Sequence, residues 1–183
     1  MKIKGDKKMN WYVVNKEYVA YLLQFDSRVG FVDYGASRVK LYLGTLIELP
    51  NFAYYVPISS PKQKHFSMKN DLDFHKVIDS GKLYAVLNLN NMLPVVDKCV
   101  RQVKYDQIEN FRNFESEREK TNYIKLLQIE KQIIDDMDVV LKQKAIKLHE
   151  EFFINPNSAL ARRCCNFPVL ERACLEWQKA NYS

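Results

Sequence analysis

Between residues 115 and 153 the chain contains neither proline nor glycine, and this uninterrupted stretch constrains the fold more than any other feature. Tyr123, Leu127, Ile134, Met137, Leu141, Ala145, Leu148 and Phe152 recur along it at helical steps, which places them on one face. That pattern predicts one long helix, or two with a kink, and the stripe reads as a core-packing face rather than a cofactor site. Asp138 and Lys142 form an i,i+4 pair in the favourable order on its flank. Asn155-Pro156-Asn157-Ser158 closes the stretch. Asn166 then fits the cap of a last helix, with Pro168 in its first turn and Leu170, Cys174 and Trp177 facing inward.

The first hundred residues have the opposite character. Residues 10–14 read as a short strand, and Asn15 caps a helix carrying Tyr18, Val19, Leu22, Leu23 and Phe25 and ending near Asp26. A loop with Gly30 and Gly35 leads into residues 39–49, rich in β-branched and aromatic side chains, and Pro50-Asn51 turns the chain back into residues 52–58. Two further strands, 72–78 and 83–89, are joined through Asp79-Ser80-Gly81. Residues 92–96 read as an edge strand or a bend, because Pro94 cannot donate to a ladder. The sequence thus predicts a single α+β domain over 1–183: a twisted antiparallel sheet over about 10–100, and a long helical region over about 105–180.

At 183 residues the chain can bury a real core, and 47% hydrophobic with 27% charged residues argues against disorder. Its 11 tyrosines and 10 phenylalanines suit a sheet and supply rings for stacking bases. The formal net charge of +6 favours a polyanionic partner such as nucleic acid. Residues 1–8 are charged with no apolar run after them, so they do not read as a signal peptide, and no stretch approaches a membrane span. Cys99, Cys164, Cys165 and Cys174 include no Cys-x-x-Cys and no nearby histidine pair, which argues against zinc and for reduced thiols in the cytoplasm. No cofactor is expected.

The chemistry-bearing segment is Pro57-Ile58-Ser59-Ser60-Pro61-Lys62-Gln63-Lys64-His65. Pro61 fixes its own φ and pushes Ser60 toward extended geometry, so hydroxyls and ammonium groups project from a stiff corner. Such a corner can grip a phosphodiester; read alone, it is more simply a turn that ends a hairpin. His65 and His75 read as surface or strand histidines and His149 as a structural residue of the long helix.

Taken in order, these pieces resemble the ToxN/AbiQ family of endoribonuclease toxins of type III toxin–antitoxin and phage abortive-infection systems. Trp11-Tyr12, Tyr18, Tyr21-Leu22 and Phe25-Asp26 resemble its opening, and Pro57-Ile58-Ser59-Ser60-Pro61-Lys62 with His65 resembles its middle signature. Leu87-Asn88-Leu89, Met92-Leu93-Pro94, Cys165-Asn166-Phe167 and Leu170-Glu171 are similar to its later stretches. The resemblance implies a compact, MazF/Kid-like twisted antiparallel core flanked by helices. It implies metal-independent cleavage of cellular or phage RNA to 2′,3′-cyclic phosphate and 5′-hydroxyl ends. It also implies an RNA pseudoknot antitoxin, repeated in tandem, processed by the toxin and held in a closed protein–RNA assembly.

Carried over by position, the essential hydroxyl falls on Ser60, its neighbour on Ser59 and the motif lysine on Lys62. The functional tyrosine falls on Tyr18, and a lysine before the glycine-containing strand falls on Lys40, with Gly44 as that glycine. Where some relatives carry an aromatic residue two positions after the motif lysine, this chain has Lys64. Lys62 and Lys40 are expected to stabilise the phosphorane-like transition state, and Ser60 to position the phosphate and help pass a proton. Crowded ammonium groups lower a lysine's pKa and make it a usable acid or base. Lys64, His65, Arg101, Lys104, Arg162 and Arg163 are the expected RNA contacts. Lys142, Lys144 and Lys147 fit either antitoxin phosphates or a solvated face. Two other classes fit the same residues: a non-catalytic RNA-binding protein, and a scaffold that dimerises through its long helix.

Overall fold

The structure, a computed structural model, describes residues 9–30 and 35–182. Residues 1–8, and residues 31–34 of the loop between Gly30 and Gly35, lie outside the described residues. Seven strands and six α-helices follow in order: β1 Asn10–Val14, α1 Lys16–Leu23, β2 Tyr42–Glu48, β3 Ala53–Ser59, α2 Gln63–Ser67, β4 Phe74–Asp79, β5 Lys82–Asn88, β6 Leu93–Val95, β7 Val100–Gln102, α3 Glu117–Asp136, α4 Asp138–Ile154, α5 Ala159–Arg163 and α6 Phe167–Tyr182.

The strands form one antiparallel sheet in the order β4-β5-β3-β2-β1-β7, and β6 pairs β3 off that path. β3 is the pivot. One edge pairs β2, while the other meets β6 over Ala53, Tyr54 and Tyr55 and then β5 at Ile58 and Ser59. Pro57 sits where the second edge changes partner, a place where a missing N–H costs the ladder little. The change of partner carries Ser59 to the open end of the sheet. Pro94 lies opposite Tyr54 in the three-residue β6, off the main strand order, where a residue without an N–H is tolerated. Ser80 and Gly81, both at positive φ (48° and 79°), make the tight β4–β5 turn. A Cβ on Gly44 would come within 2.2 Å of the Tyr55 ring, which crosses β2 at that point.

The long apolar stripe packs on this sheet, with Leu127, Ile134, Leu141, Ala145, Leu148 and Phe152 all buried. The kink falls at Met137, whose backbone (φ −120°, ψ 18°) leaves the helix, so the stretch is two helices. Trp11 Nε1 donates to Leu127 O at 3.3 Å and ties β1 to α3. Asn15, Ser116 and Ser158 accept from the third amide of α1, α3 and α5, and Asn166 does so more weakly for α6 at 3.4 Å. All four cysteines are buried free thiols. No helix among the described residues is long and apolar enough to cross a membrane.

Three short elements depart from the sequence reading: β7, α2 and α5. Each has three to five residues, too few for a periodic signal, and is held by tertiary contacts. Where a turn was expected after Pro61, Lys62 instead caps α2. α1 stops at Leu23 rather than near Asp26, because Gln24 and Phe25 close the turn onto Tyr21 and Leu22.

Candidate active site

β3 delivers Ser59 to the end of the sheet, and the residues just before β2 run beside it, with Ile58 N donating to Leu41 O at 3.1 Å. That pairing brings Lys40 Nζ to 3.3 Å from Ser59 Oγ, to which it donates. Lys40 is half-buried, and its ammonium form is disfavoured first by burial and then by the nearby Lys62 charge, so its pKa lies below the ordinary lysine value. Ser60 is exposed beside this pair, and Lys62 is exposed at the start of α2. The structure thus brings Lys40 into contact with Ser59, with Ser60 and Lys62 just after Ser59 along the chain.

His65 is corrected. Expected among the RNA contacts, it is only 4% exposed, and its Nδ1 accepts from the Lys62 backbone N–H at 3.0 Å while its backbone N–H donates to Lys62 O at 2.8 Å. Burial, then the charges of Lys64, Lys62 and Lys76, hold its pKa down. A neutral imidazole with Nδ1 as acceptor clamps the α2 turn and so fixes where Lys62 stands.

Tyr18 is corrected as well. It has no exposed surface, its hydroxyl donates to Pro94 O at 2.6 Å, and burial drives its pKa far up. Its ring lies 5.5 Å from that of Trp177. A side chain so enclosed packs the junction of α1, β6 and α6 and does not meet a phosphate.

The corner opens into a cleft of about 680 Å³ whose walls include Ser59, Lys62, Lys64, Asn88 and Arg163. Arg163 Nε is 2.8 Å from Asp73 Oδ2, and Asn90 Nδ2 donates to Arg163 O at 3.0 Å. Asn91 Nδ2 donates to Arg28 O at 2.9 Å, and Arg28 Nη1 reaches Arg162 O at 3.2 Å. Arg28 was not foreseen as part of the site. Its Nε and N–H both donate to Asp26 Oδ1 at 2.9 Å, and Asn166 N donates to Asp26 Oδ2 at 2.6 Å. These donors outweigh burial and hold the Asp26 carboxyl below its usual range, so a buried carboxylate anchors the arginine rim. The Phe25-Asp26 pair in the sequence was the available signal; its connection to Asn166, 140 residues away, was not.

A second cleft, about 390 Å³, is lined by Lys16, Arg38, Lys40, Lys98, Arg101 and Phe111 among others, with no carboxylate among its described lining residues. The Arg101 guanidinium lies 4.9 Å from the centre of the Phe111 ring. Lys40 lines this cleft and bonds Ser59, which lines the other, so the two basic clefts meet at the serine–lysine corner. Lys104 is exposed where a 3₁₀ turn begins, and Arg162 is exposed with Nη1 on Asn157 O at 2.8 Å.

The helical lysines are partly committed elsewhere. Lys142 pairs with Asp138 at 2.7 Å, and Lys144 contacts Asp71 O at 2.8 Å and His75 Nδ1 at 3.1 Å. His149 Nε2 lies 2.8 Å from Glu171 Oε1, to which the Tyr54 hydroxyl also donates at 2.7 Å, consistent with a structural role. Among the described residues, no three His, Cys, Asp or Glu side chains converge as metal ligands.

The chain matches the family described as Toxin ToxN, type III toxin-antitoxin system, over residues 10–175. It is 25% identical over 173 residues to Endoribonuclease ToxN of Bacillus thuringiensis subsp. kurstaki, covering 92% of this chain and 84% of that one. Endoribonuclease AbiQ of Lactococcus lactis subsp. lactis is 23% identical over 184 residues, covering 95% and 92%. Among solved structures, one of selective toxin inhibition by a non-coding RNA pseudoknot superposes with a TM-score of 0.79 at 22% identity, covering 94% of this chain and 99% of that one. The structure of AbiQ, a lactococcal anti-phage endoribonuclease, superposes with a TM-score of 0.78 at 20% identity, covering 94% and 99%. The fold is thus that of these toxins over the superposed part, and since the match runs from β1 into α6, the chain belongs to the ToxN family of type III toxin–antitoxin toxins.

Proposed function

We propose that this chain is an endoribonuclease toxin that cuts RNA without a metal ion, leaving 2′,3′-cyclic phosphate and 5′-hydroxyl ends. The observation that carries this reading is the 3.3 Å contact between a charge-disfavoured Lys40 and Ser59, beside exposed Ser60 and Lys62. Lys40, in its neutral form, takes the proton of the 2′-hydroxyl. The 2′-oxygen then attacks phosphorus and the bond to the 5′-oxygen breaks. Ser60 holds the scissile phosphate, and Lys62 stabilises the charge that grows on its oxygens and protonates the departing 5′-oxygen. Ser59 keeps the Lys40 amine aimed.

The two basic clefts give the strand a path on either side of the cut, with Arg101 beside one and Arg163, Lys64 and Arg162 about the other. We assign the same track to an RNA pseudoknot antitoxin, which occupies it in a protein–RNA assembly and keeps cellular or phage transcripts out. The relatives named as endoribonucleases, and the solved toxin inhibited by a pseudoknot, support this reading. Ser60→Ala tests it: cleavage and growth arrest should be lost, with RNA affinity within about twofold of the parent. An equally active S60A protein would remove Ser60 from the reaction.

A further inference from the structure

Four asparagines line the cleft beside Ser59: Asn70, Asn88, Asn90 and Asn91. The fold uses three of their amides. Asn90 donates to Arg163 O, Asn91 donates to Arg28 O, and the Asn70 oxygen accepts from Lys76 N at 2.8 Å. Asn88 differs. It is the last residue of β5, paired through its backbone with Phe74, and among the described residues its side-chain amide has no hydrogen-bond partner. The residue is half-buried, and its amide atoms are not among the buried polar atoms left without a partner in the described residues, so the amide faces the cleft where a ligand can replace water.

Its position says what could. Ser59 lies opposite Val86 across the β3–β5 ladder, and Asn88 is two residues on, on the same face of β5, so it stands beside the corner where the cut is placed. Lys62 and Lys64, in the same cleft, suit phosphates, and phosphate contacts carry no sequence information. A primary amide presents a donor and an acceptor side by side, the pattern that pairs with the edge of an unstacked nucleobase.

We propose that Asn88 is a specificity-determining residue: its amide pairs with the edge of the base next to the scissile phosphate and sets which base stands there. This rests on the endoribonuclease reading of the same cleft. It differs from a phosphate contact, which would weaken all RNAs alike.

The test is the base distribution at the cut, read by sequencing the ends that the purified toxin makes in a single-stranded RNA with randomised sequence. The parent should favour one base at a position flanking the cut, and Asn88→Ala should reduce that preference by about tenfold, the scale of one lost bidentate contact. Asn88→Asp, which replaces the donor with an acceptor, should shift the preference rather than flatten it. Because the amide holds no other part of the chain, N88A should melt within about 2 °C of the parent. An unchanged base distribution in N88A and N88D, or a parent that cuts with no preference beside the cut, would overturn the assignment while leaving the endoribonuclease reading intact. A parent that does not cut RNA would overturn both.

Discussion

Replacing Tyr18 with phenylalanine separates a core tyrosine from a catalytic one. The hydroxyl donates to Pro94 O at 2.6 Å and has no exposed surface. Removing it leaves a buried carbonyl without this donor, which costs about 1–3 kcal/mol. For a chain of this size each kcal/mol lowers the melting temperature by about 2–4 °C. Tyr18→Ala would add a cavity beside Trp177 and cost about 3–5 kcal/mol, enough to confuse unfolding with lost chemistry. Urea unfolding followed by tryptophan fluorescence, run beside cleavage of a labelled RNA well below the midpoint, reads both quantities. The expected result for Y18F is a lower urea midpoint with cleavage unchanged. A hundredfold loss of cleavage with an unmoved midpoint would refute the burial argument and return Tyr18 to the reacting centre.

Other outcomes follow from the same geometry. Because burial and Lys62 lower the Lys40 pKa, cleavage should rise with pH as Lys40 loses its proton and level off below the ordinary lysine value of 10.5, in a pH–rate profile. Lys40→Arg keeps the charge and cannot act as a base, so it should lose about 10²–10⁴ in rate and the rising limb with it. Glu130, buried within the apolar stripe, has its carboxyl pKa raised by burial from 4.5 to about 8. The folded state therefore keeps a proton that the unfolded chain releases, and this group's contribution to stability falls from pH 4.5 to about 8, by up to about 1.4 kcal/mol per pH unit. Glu130→Gln should flatten that slope in urea titrations across this range, and an unchanged slope would place the effect elsewhere. Arg101→Ala should reduce the slope of log affinity against log salt by about 0.7, the single-strand value per phosphate contact, in RNA-binding measurements.

Much of the fold was legible because the relevant signals are local. The helical stripe announced α3 and α4, Asn15 announced α1, and Pro50-Asn51 and Ser80-Gly81 announced the hairpins. Glu130 escaped notice because a carboxyl in the stripe breaks the apolar pattern although its position is buried. The short β7, α2 and α5 have no period of their own. The serine–lysine corner was legible in part: Ser59, Ser60 and Lys62 are consecutive or nearly so, and Lys40 came by resemblance. That Lys40 touches Ser59 depends on the β2–β3 pairing. Arg28 was not singled out, and Asn88 entered only as part of the Leu87-Asn88-Leu89 resemblance and not as a site residue, because their places follow from Asp26–Asn166 and from the β3–β5 ladder, contacts no sequence window spans. Tyr18 and His65 were misjudged for a shared reason: a polar ring within a motif looks available until the packing around it is seen.

The most direct measurement of the central claim is the chemistry of the ends left when the purified toxin, free of antitoxin, cuts RNA in excess EDTA. The account predicts 2′,3′-cyclic phosphate on the upstream fragment and a 5′-hydroxyl on the downstream one, at a rate that added magnesium does not restore or raise. Intact RNA in chelator that is cut once magnesium is supplied, or fragments bearing 5′-phosphates, would contradict it.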